Sequence, residues 1–210
     1  MCEIKLHVKL PMFVARQWIR HRTANVNEYS ARYSILDREF YVPAAEQVAM
    51  QSATNRQGRG EGLADGDAAR VRDVMRAQGE AAFDVYDALL ADAAEGGPAV
   101  ARELARAVLP LATYTQWYWK IDLHNLLHFI ALRADPHAQS EIRAYADVLT
   151  EIVRKWVPVT ANAFESYRLH GASLSREQLE VIRRRLQGQP VTAADVGLGA
   201  REWRELATIL

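Results

Sequence analysis

The sequence predicts an α+β fold in which helices bracket a small number of strands. Residues 3–10 alternate polar and apolar side chains, and residues 113–121 are rich in aromatic and β-branched residues, so both segments are expected to be strands. Residues 67–94, 99–109 and 136–157 have the apolar spacing of amphipathic helices. Because strands and helices do not alternate regularly, the order of elements favours α+β over a parallel α/β sheet.

Composition limits the classes of protein to which the chain can belong. Its 210 residues suffice for a sizeable core, and we expect a single domain over residues 1–210. The formal net charge is +0, so the bulk composition does not favour binding to nucleic acid or to an anionic membrane. No apolar run approaches the roughly 20 residues that span a bilayer, and no signal-peptide pattern begins the chain. Cys2 is the only cysteine, which excludes an intrachain disulfide and makes the cytoplasm the expected compartment.

The first thirty residues predict a strand, a helix and a loop. After the strand at residues 3–10, Pro11 opens a short helix, since proline is favoured at the first helical position. This helix is expected to present the triplet Arg-His-Arg, residues 20–22, at its C-terminal end. Residues 23–29 are expected to be a loop because they contain two asparagines that tolerate turn geometry.

The next part of the chain is predicted to be less regular. Residues 39–42 are expected to be extended, and a short helix is expected near residues 45–52. Residues 55–62 are glycine-rich and charged, which is typical of a loop. That loop is either a surface connection or a basic flap that closes over an anionic ligand through Arg56 and Arg59. It lacks the Gly-Lys-Ser/Thr ending of a P-loop, which argues against a nucleoside triphosphate site.

The second half of the chain is predicted to be helical after its single strand. Helices are expected over residues 123–132, 136–157 and 160–169, and the tail is expected to be helical and solvated. The three arginines at residues 183–185 are more typical of a solvated helix face than of a ligand site.

A dense polar cluster follows the first helix. It begins with the triplet at residues 20–22, and its other polar members are Asn27, Glu28, Ser30 and Arg32. Basic residues at a helix end commonly complement the helix dipole, which is the simplest interpretation of the triplet alone. The full cluster also suits a phosphorylated, ring-bearing ligand, because guanidinium groups bind phosphate bidentately while hydroxyl, amide and carboxylate groups bind a ring edge.

A pair of histidines predicts a second polar site. His124 and His128 are four residues apart and therefore share one face of a helix. This spacing can ligate zinc, but no glutamate stands between the two histidines and no cysteine is near. Partly buried histidines that are hydrogen-bonded in a core are the other interpretation.

Both polar segments resemble the flavin-dependent thymidylate synthases. An Arg-His-Arg triplet followed by seven residues and Ser30 is similar to the signature of that family, and the similarity extends over residues 13–34. Residues 117–142 resemble the second motif region of the same family. The resemblance implies an antiparallel sheet flanked by long helices. The family has several tens of residues before the strand that begins here at Glu3, so we expect the N-terminal part of the domain to be missing.

The resemblance also implies an activity and an assembly. It implies methylation of dUMP to dTMP, with methylenetetrahydrofolate as the carbon donor and with FAD, reduced by NADPH, as the hydride carrier. It implies a homotetramer whose active sites are shared between subunits. The family needs no cysteine nucleophile, so Cys2 is not expected to be catalytic. No metal is expected.

Roles for individual residues follow from the resemblance alone. The positions expected to bind dUMP are Gln17, Glu28, Ser30, Ala31, Arg32, Arg106 and Arg133. The positions expected to bind or frame FAD are Arg20, His21, Arg22, Glu28, Asp122, His124, His128 and His137. Arg106 and Arg133 are expected to reach dUMP from a neighbouring subunit. Arg133 is the expected catalytic residue, because a guanidinium beside the uracil ring makes C5 a better nucleophile.

Two other classes of function stay open. A non-catalytic nucleotide- or RNA-binding module would use the basic cluster at residues 20–22, with aromatic residues 117–119 stacking on bases. Overall neutrality argues against that module, and bound flavin would exclude it. A helical interaction protein would have no ligand site, so Arg133→Ala and Ser30→Ala would leave every ligand affinity unchanged.

Overall fold

The computed structural model describes residues 2–53 and 58–210 of the chain. These residues form two compact units, one ending at Glu151 and the other running from Ile152 to Leu210. The expected single domain over residues 1–210 stays a prediction. No helix in the described part of the chain is long and apolar enough to cross a membrane.

The first unit contains two antiparallel sheets. The strands are β1 (Glu3–Pro11), β2 (Ala24–Glu28), β3 (Ala49–Gln51), β4 (Arg59–Gly62) and β5 (Tyr114–Asp122). The larger sheet has three strands in the order β1-β5-β2, so β5 is hydrogen-bonded on both sides. β3 and β4 form a separate two-stranded hairpin. The predicted α+β class and antiparallel sheet are therefore confirmed.

Helices make up the rest of the regular structure of the first unit and most of the second unit. Their bounds are α1 (Met12–Trp18), α2 (Asp65–Leu90), α3 (Arg102–Ala105), α4 (Leu123–Arg133), α5 (Ser140–Trp156), α6 (Pro158–Phe164), α7 (Arg176–Leu186), α8 (Ala193–Val196) and α9 (Ala200–Ile209). The predicted helices after Pro11 and near residues 67–94, 123–132 and 136–157 are confirmed, with ends that differ by a few residues.

Three local predictions differ from the structure. The expected loop at residues 23–29 contains β2, because its backbone pairs with β5 about ninety positions later. The expected helix at residues 45–52 is only a 3₁₀ turn, Ala45–Gln47, followed by β3. The expected helix at residues 99–109 is one turn of α3 and a 3₁₀ turn, Arg106–Val108.

Trp18, the last residue of α1, lies at the centre of the first unit. Its side chain is 1% exposed, and its ring centroid lies 5.1 Å from that of Trp119 and 4.6 Å from that of Phe129. Trp119 belongs to β5 and Phe129 to α4, so one side chain joins three elements. Because Trp18 fixes the end of α1 in this core, residues 20–22 leave the helix directly beside α4.

A second cluster packs α2 against the chain before β5. Phe83 and Tyr86 of α2 are fully buried with Ala105 of α3, and Phe40 packs against them. A Cβ atom at Gly79 would lie 2.5 Å from the ring of Phe40, so this close approach requires glycine. This cluster holds residues 102–108, which include Arg106, against α2.

The second unit has a small core of its own. Val181, Leu198 and Leu206 are buried there, and Trp203 packs against them. The three arginines at residues 183–185 are not among the buried residues of this core. Arg184 instead forms an ion pair with Glu180 of the same helix. This arrangement is consistent with the predicted solvated helix face.

Candidate active site

A cavity at the end of β2 collects most of the residues expected to bind dUMP. We call it the Ser30 cavity; its volume is about 580 Å³. Its lining residues are Met12, Glu28, Tyr29, Ser30, Ala31, Leu36, Glu103, Arg106, Ala107 and Thr115. Four of the expected dUMP positions, Glu28, Ser30, Ala31 and Arg106, therefore face one space although Arg106 is distant in sequence.

The end of β2 and the turn after it position the polar groups of this cavity. Thr115 of β5 donates a hydrogen bond of 2.7 Å to Glu28 Oε1, so the buried hydroxyl holds the carboxylate in place. The carbonyl of Ser30 accepts from the backbone N–H groups of Tyr33 and Ser34, which closes a turn. The backbone N–H of Arg32 also points to Ser30 Oγ at 3.3 Å.

Arg32 and Arg106 meet at the rim of the Ser30 cavity through Glu103. Arg32 contacts Glu103 Oε2 with Nε at 3.0 Å and with Nη2 at 2.8 Å. Arg106 donates from Nε to the backbone carbonyl of Glu103 at 3.2 Å. A phosphate group bound here would therefore share Arg32 with Glu103 or replace that carboxylate. Glu103 was missed from sequence, although it stands one helical turn before Arg106.

A second cavity contains the expected catalytic arginine. We call it the Arg133 cavity; its volume is about 360 Å³. It is lined by Gln17, Ala131, Leu132, Arg133, Asp135, His137, Ala138 and Gln139. The Oε1 atom of Gln17 is buried and has no hydrogen-bond partner among the described residues. A buried amide oxygen without a partner fits a ligand that supplies an N–H group.

His21 and Arg133 are in direct contact beside this cavity. Arg133 Nε donates a hydrogen bond to His21 Nε2 at 3.0 Å, and the imidazole packs on Phe129 with 4.8 Å between ring centroids. Burial, the neighbouring Arg133 and then His128 lower the pKa of His21 to about 4. Burial also lowers the pKa of Arg133. His21 is therefore neutral near pH 7.

The other basic residues of the triplet differ from His21. Arg20 and Arg22 are exposed, and neither has a carboxylate partner within the described residues. No carboxylate in the described ranges 2–53 and 58–210 consequently neutralises their positive charge. This arrangement fits the diphosphate of FAD, which needs guanidinium groups that are free to bind phosphate oxygens.

The remaining expected FAD positions lie on α4 and just after it. Asp122 is the N-cap of α4 and accepts from the backbone N–H of Asn125 at 3.0 Å and from its amide at 2.6 Å, contacts that lower the Asp122 pKa. His124 and His128 are exposed, and His137 contacts Asp135 with Nδ1 at 2.9 Å. No group of at least three His, Cys, Asp or Glu residues in the described ranges could hold a metal ion.

A single protomer does not bring all the expected residues to one place. The Ser30 cavity and the Arg133 cavity have no lining residue in common. Ser30 and Arg106 therefore line one cavity, while Gln17 and Arg133 line another. This placement differs from the expectation that Arg106, like Arg133, reaches dUMP from a neighbouring subunit, because residues 102–108 pack beside the end of β2 in the same protomer.

A buried carboxylate that the sequence did not reveal lies at the start of α5. Glu141, in the first turn of α5, is 6% exposed. It accepts hydrogen bonds from Arg59 of β4 and, at 2.9 Å, from the hydroxyl of Tyr41. Arg59, one of the two expected flap contacts, thus binds the protein itself here. The other, Arg56, lies outside the described residues. The sequence could not predict this ion pair, because the β3–β4 hairpin is what brings Arg59 to Glu141.

Replacement of Glu141 by glutamine is expected to destabilise the first unit by about 1.5–3 kcal/mol near pH 7, because the charge-assisted hydrogen bonds are weakened. Burial alone would raise the pKa of Glu141, but the hydrogen bonds from Arg59 and Tyr41 outweigh it and lower that pKa below 4.5. The stabilisation is therefore present above that pH and is lost as pH falls through the lowered pKa. Guanidinium unfolding at neutral and acidic pH measures it, and a stability difference that does not shrink in acid would contradict the prediction.

The fold and cavities define an α+β protein suited to phosphorylated, ring-bearing small molecules. Comparison with known proteins identifies the family within this class. The family model described as thymidylate synthase complementing protein matches residues 1–159, and the chain belongs to this family. The resemblance to the flavin-dependent thymidylate synthases is thereby confirmed.

Relatives extend the similarity over the whole chain. It is 61% identical to the flavin-dependent thymidylate synthase of Gluconobacter oxydans (strain 621H), covering 100% of this chain and 68% of that protein. It is 59% identical to the enzyme of the same name from Ruegeria pomeroyi, covering 69% of that protein and again all of this chain.

A solved structure supports the fold. The crystal structure of the UMP/dUMP methylase PolB from Streptomyces cacaoi, bound with 5-Br UMP, is similar with a TM-score of 0.72 and 34% identity. The similarity covers 79% of this chain and 74% of that one.

Proposed function

We propose that this protein methylates dUMP to dTMP, taking the carbon unit from methylenetetrahydrofolate and the hydride from FAD that NADPH has reduced. The observation that carries the proposal is the meeting of Glu28, Ser30, Ala31 and Arg106 around one cavity, in a chain that belongs to this family. The names of the relatives and of the Streptomyces methylase support the choice of reaction.

In the Ser30 cavity the phosphate of dUMP is bound by guanidinium and hydroxyl groups. Arg32 and Arg106 meet at the rim of this cavity, and Ser30 lines it. A dianionic phosphate is best bound by several guanidinium groups, because each offers two parallel N–H donors. Glu28, held by Thr115, is left to contact the sugar or the base edge.

In the Arg133 cavity the uracil ring meets a positive charge. The Arg133 guanidinium stabilises negative charge that develops on the uracil carbonyl oxygens, which makes C5 more nucleophilic without a covalent adduct. Gln17 offers its buried Oε1 atom to the N3–H group of the ring. The chain thus positions the ring and stabilises its charge.

FAD is the cofactor that these residues suit. Arg20 and Arg22 bind its diphosphate, while His21, Glu28, Asp122, His124, His128 and His137 frame the rest of the molecule. When bound, the flavin supplies the hydride chemistry that amino-acid side chains lack. NADPH and the folate need access to the same space.

The enzyme is a homotetramer whose sites are shared between subunits. This proposal is supported by the separation of the Ser30 cavity from the Arg133 cavity within one protomer. If the two cavities of different protomers face each other, one dUMP molecule contacts Ser30 of one subunit and Arg133 of another.

Mixing two inactive variants tests the shared site. Ser30→Ala combined with Arg32→Ala damages one half of each site, and Arg133→Ala damages the other half. After subunit exchange at equal amounts, activity should return to about one quarter of the wild-type value, because random pairing restores that share of shared sites. Each variant mixed with itself is the control. Activity that stays at the level of the separate variants would show that each site belongs to one protomer.

A visible absorption titration of the purified chain with FAD, with and without dUMP, tests the proposed function directly. A saturable flavin spectrum that shifts on addition of dUMP is the expected result, since both ligands share one site. A folded protein that binds neither would contradict the proposal. RNA binding without flavin would instead favour the nucleotide- or RNA-binding module.

A further inference from the structure

His21 is placed to control the side chain on which the proposed chemistry depends. The imidazole is partly buried between the end of α1 and α4, and it packs edge-on against Phe129. Its Nε2 atom takes the Nε–H group of Arg133 at 3.0 Å. Among the described residues, neither Nη atom of Arg133 has another hydrogen-bond acceptor. The histidine therefore occupies the base of the guanidinium fork and leaves the two ends of the fork for a ligand.

The direction of this hydrogen bond specifies the protonation of the ring. Arginine only donates, so Nε2 of His21 must be the unprotonated nitrogen and Nδ1 must carry the proton of the neutral ring. A protonated imidazole would place two N–H groups against each other. The surroundings favour the neutral form, since burial, Arg133 and His128 together lower the His21 pKa to about 4.

We infer that His21 is a positioning residue: as the Nδ1–H tautomer it accepts the Nε–H group of Arg133 and thereby aims the guanidinium fork into the Arg133 cavity. This inference rests on the proposed function for the identity of the ligand, dUMP, but not for the contact itself. It differs from a flavin contact of His21, because it assigns the Nε2 atom to Arg133 and leaves only Nδ1 for a cofactor.

The core holds both partners of this contact in place. Trp18 fixes the end of α1 against Phe129, three residues before His21 in sequence. Phe129 and Arg133 are one turn apart on α4, so the ring partner and the hydrogen-bond partner of His21 lie on the same helix face. The imidazole is thus held on one side by packing and on the other by Arg133.

A matched pair of substitutions tests the inference. In His21→Gln the amide oxygen reaches the position of Nε2 and can accept from Arg133, whereas in His21→Asn the shorter amide reaches only the position of Nδ1. We expect His21→Gln to bind dUMP about 10-fold or more tightly than His21→Asn, since only the asparagine variant loses a hydrogen bond to a charged donor. FAD affinity should fall no further in His21→Asn than in His21→Gln, since the asparagine amide keeps a polar group at the position of Nδ1.

Turnover gives a second readout from the same pair. With dUMP saturating, kcat of His21→Asn should stay below that of His21→Gln, because a misdirected guanidinium also stabilises the developing charge less well. Equal dUMP affinities and equal kcat values in the two variants would overturn the positioning role. So would a His21→Asn variant that binds dUMP more tightly or turns over faster than His21→Gln. Thermal unfolding of both variants shows whether a difference arises from a damaged fold.

Nuclear magnetic resonance of the wild-type protein tests the contact without any activity. Long-range ¹⁵N–¹H correlation on protein with labelled histidines distinguishes the two neutral tautomers, and His21→Gln assigns the signal. We expect His21 as the Nδ1–H tautomer near pH 7. An Nε2–H tautomer or a charged ring would overturn the inference even if dUMP binds normally. Conversely, failure of dUMP binding with the expected tautomer would count against the proposed function alone.

Discussion

Arg133→Ala is expected to reduce dUMP methylation by at least about 100-fold, the largest functional effect of any single substitution in this chain, because both ring binding and charge stabilisation are lost. The affinity for dUMP should fall with it, whereas the FAD affinity should change by less than about 3-fold, since Arg20 and Arg22 remain to bind the diphosphate. Turnover assays measure the methylation rate, and ligand titrations on the same preparation measure the affinities for dUMP and FAD.

Arg133→Lys separates charge from shape. Lysine keeps the positive charge but lacks the planar fork, so we expect it to recover only a small part of the lost activity. Arg70→Ala is the matched control, since Arg70 lies on α2 and forms an exposed ion pair of 2.9 Å with Asp67 of the same helix. Equal loss of FAD and dUMP affinity in a folded Arg133→Ala protein would refute the assignment of Arg133 to dUMP.

Trp18→Ala is expected to destabilise the first unit by about 3–5 kcal/mol, the range for removal of a large buried aromatic side chain. The Trp18 side chain is 1% exposed and its ring contacts Trp117, Trp119, Phe129 and Tyr145, so the cavity left behind would open toward β5, α4 and α5. Guanidinium unfolding at a fixed protein concentration, followed by circular dichroism, measures the loss.

The same substitution should also weaken ligand binding before the protein unfolds. Because Trp18 fixes the end of α1, its removal loosens the start of the triplet at residues 20–22. Tyr167→Ala is the control, because Tyr167 is 81% exposed and its replacement should cost less than about 0.5 kcal/mol. A loss below 1 kcal/mol for Trp18→Ala would mean that the core forms without this ring.

The sequence by itself was sufficient for the main elements and for the family. The alternating pattern of β1 and the apolar spacing of α2, α4 and α5 depend on neighbours within each segment, so local periodicity reveals them. The family could likewise be recognised from the triplet at residues 20–22 and Ser30, because the spacing of these residues in sequence is itself the family signature. Both the elements and the signature depend only on residues that are close together in the sequence.

Tertiary structure decided what depends on distant partners. β2 forms because β5, about ninety residues later, completes its hydrogen bonds, and β2 has no periodic pattern long enough to show this locally. The contact of His21 with Arg133 and that of Arg59 with Glu141 each join residues far apart in the chain. Only folding brings such groups together, because their hydrogen-bond donors find partners only when the end of α1 lies beside α4 and the hairpin lies beside α5.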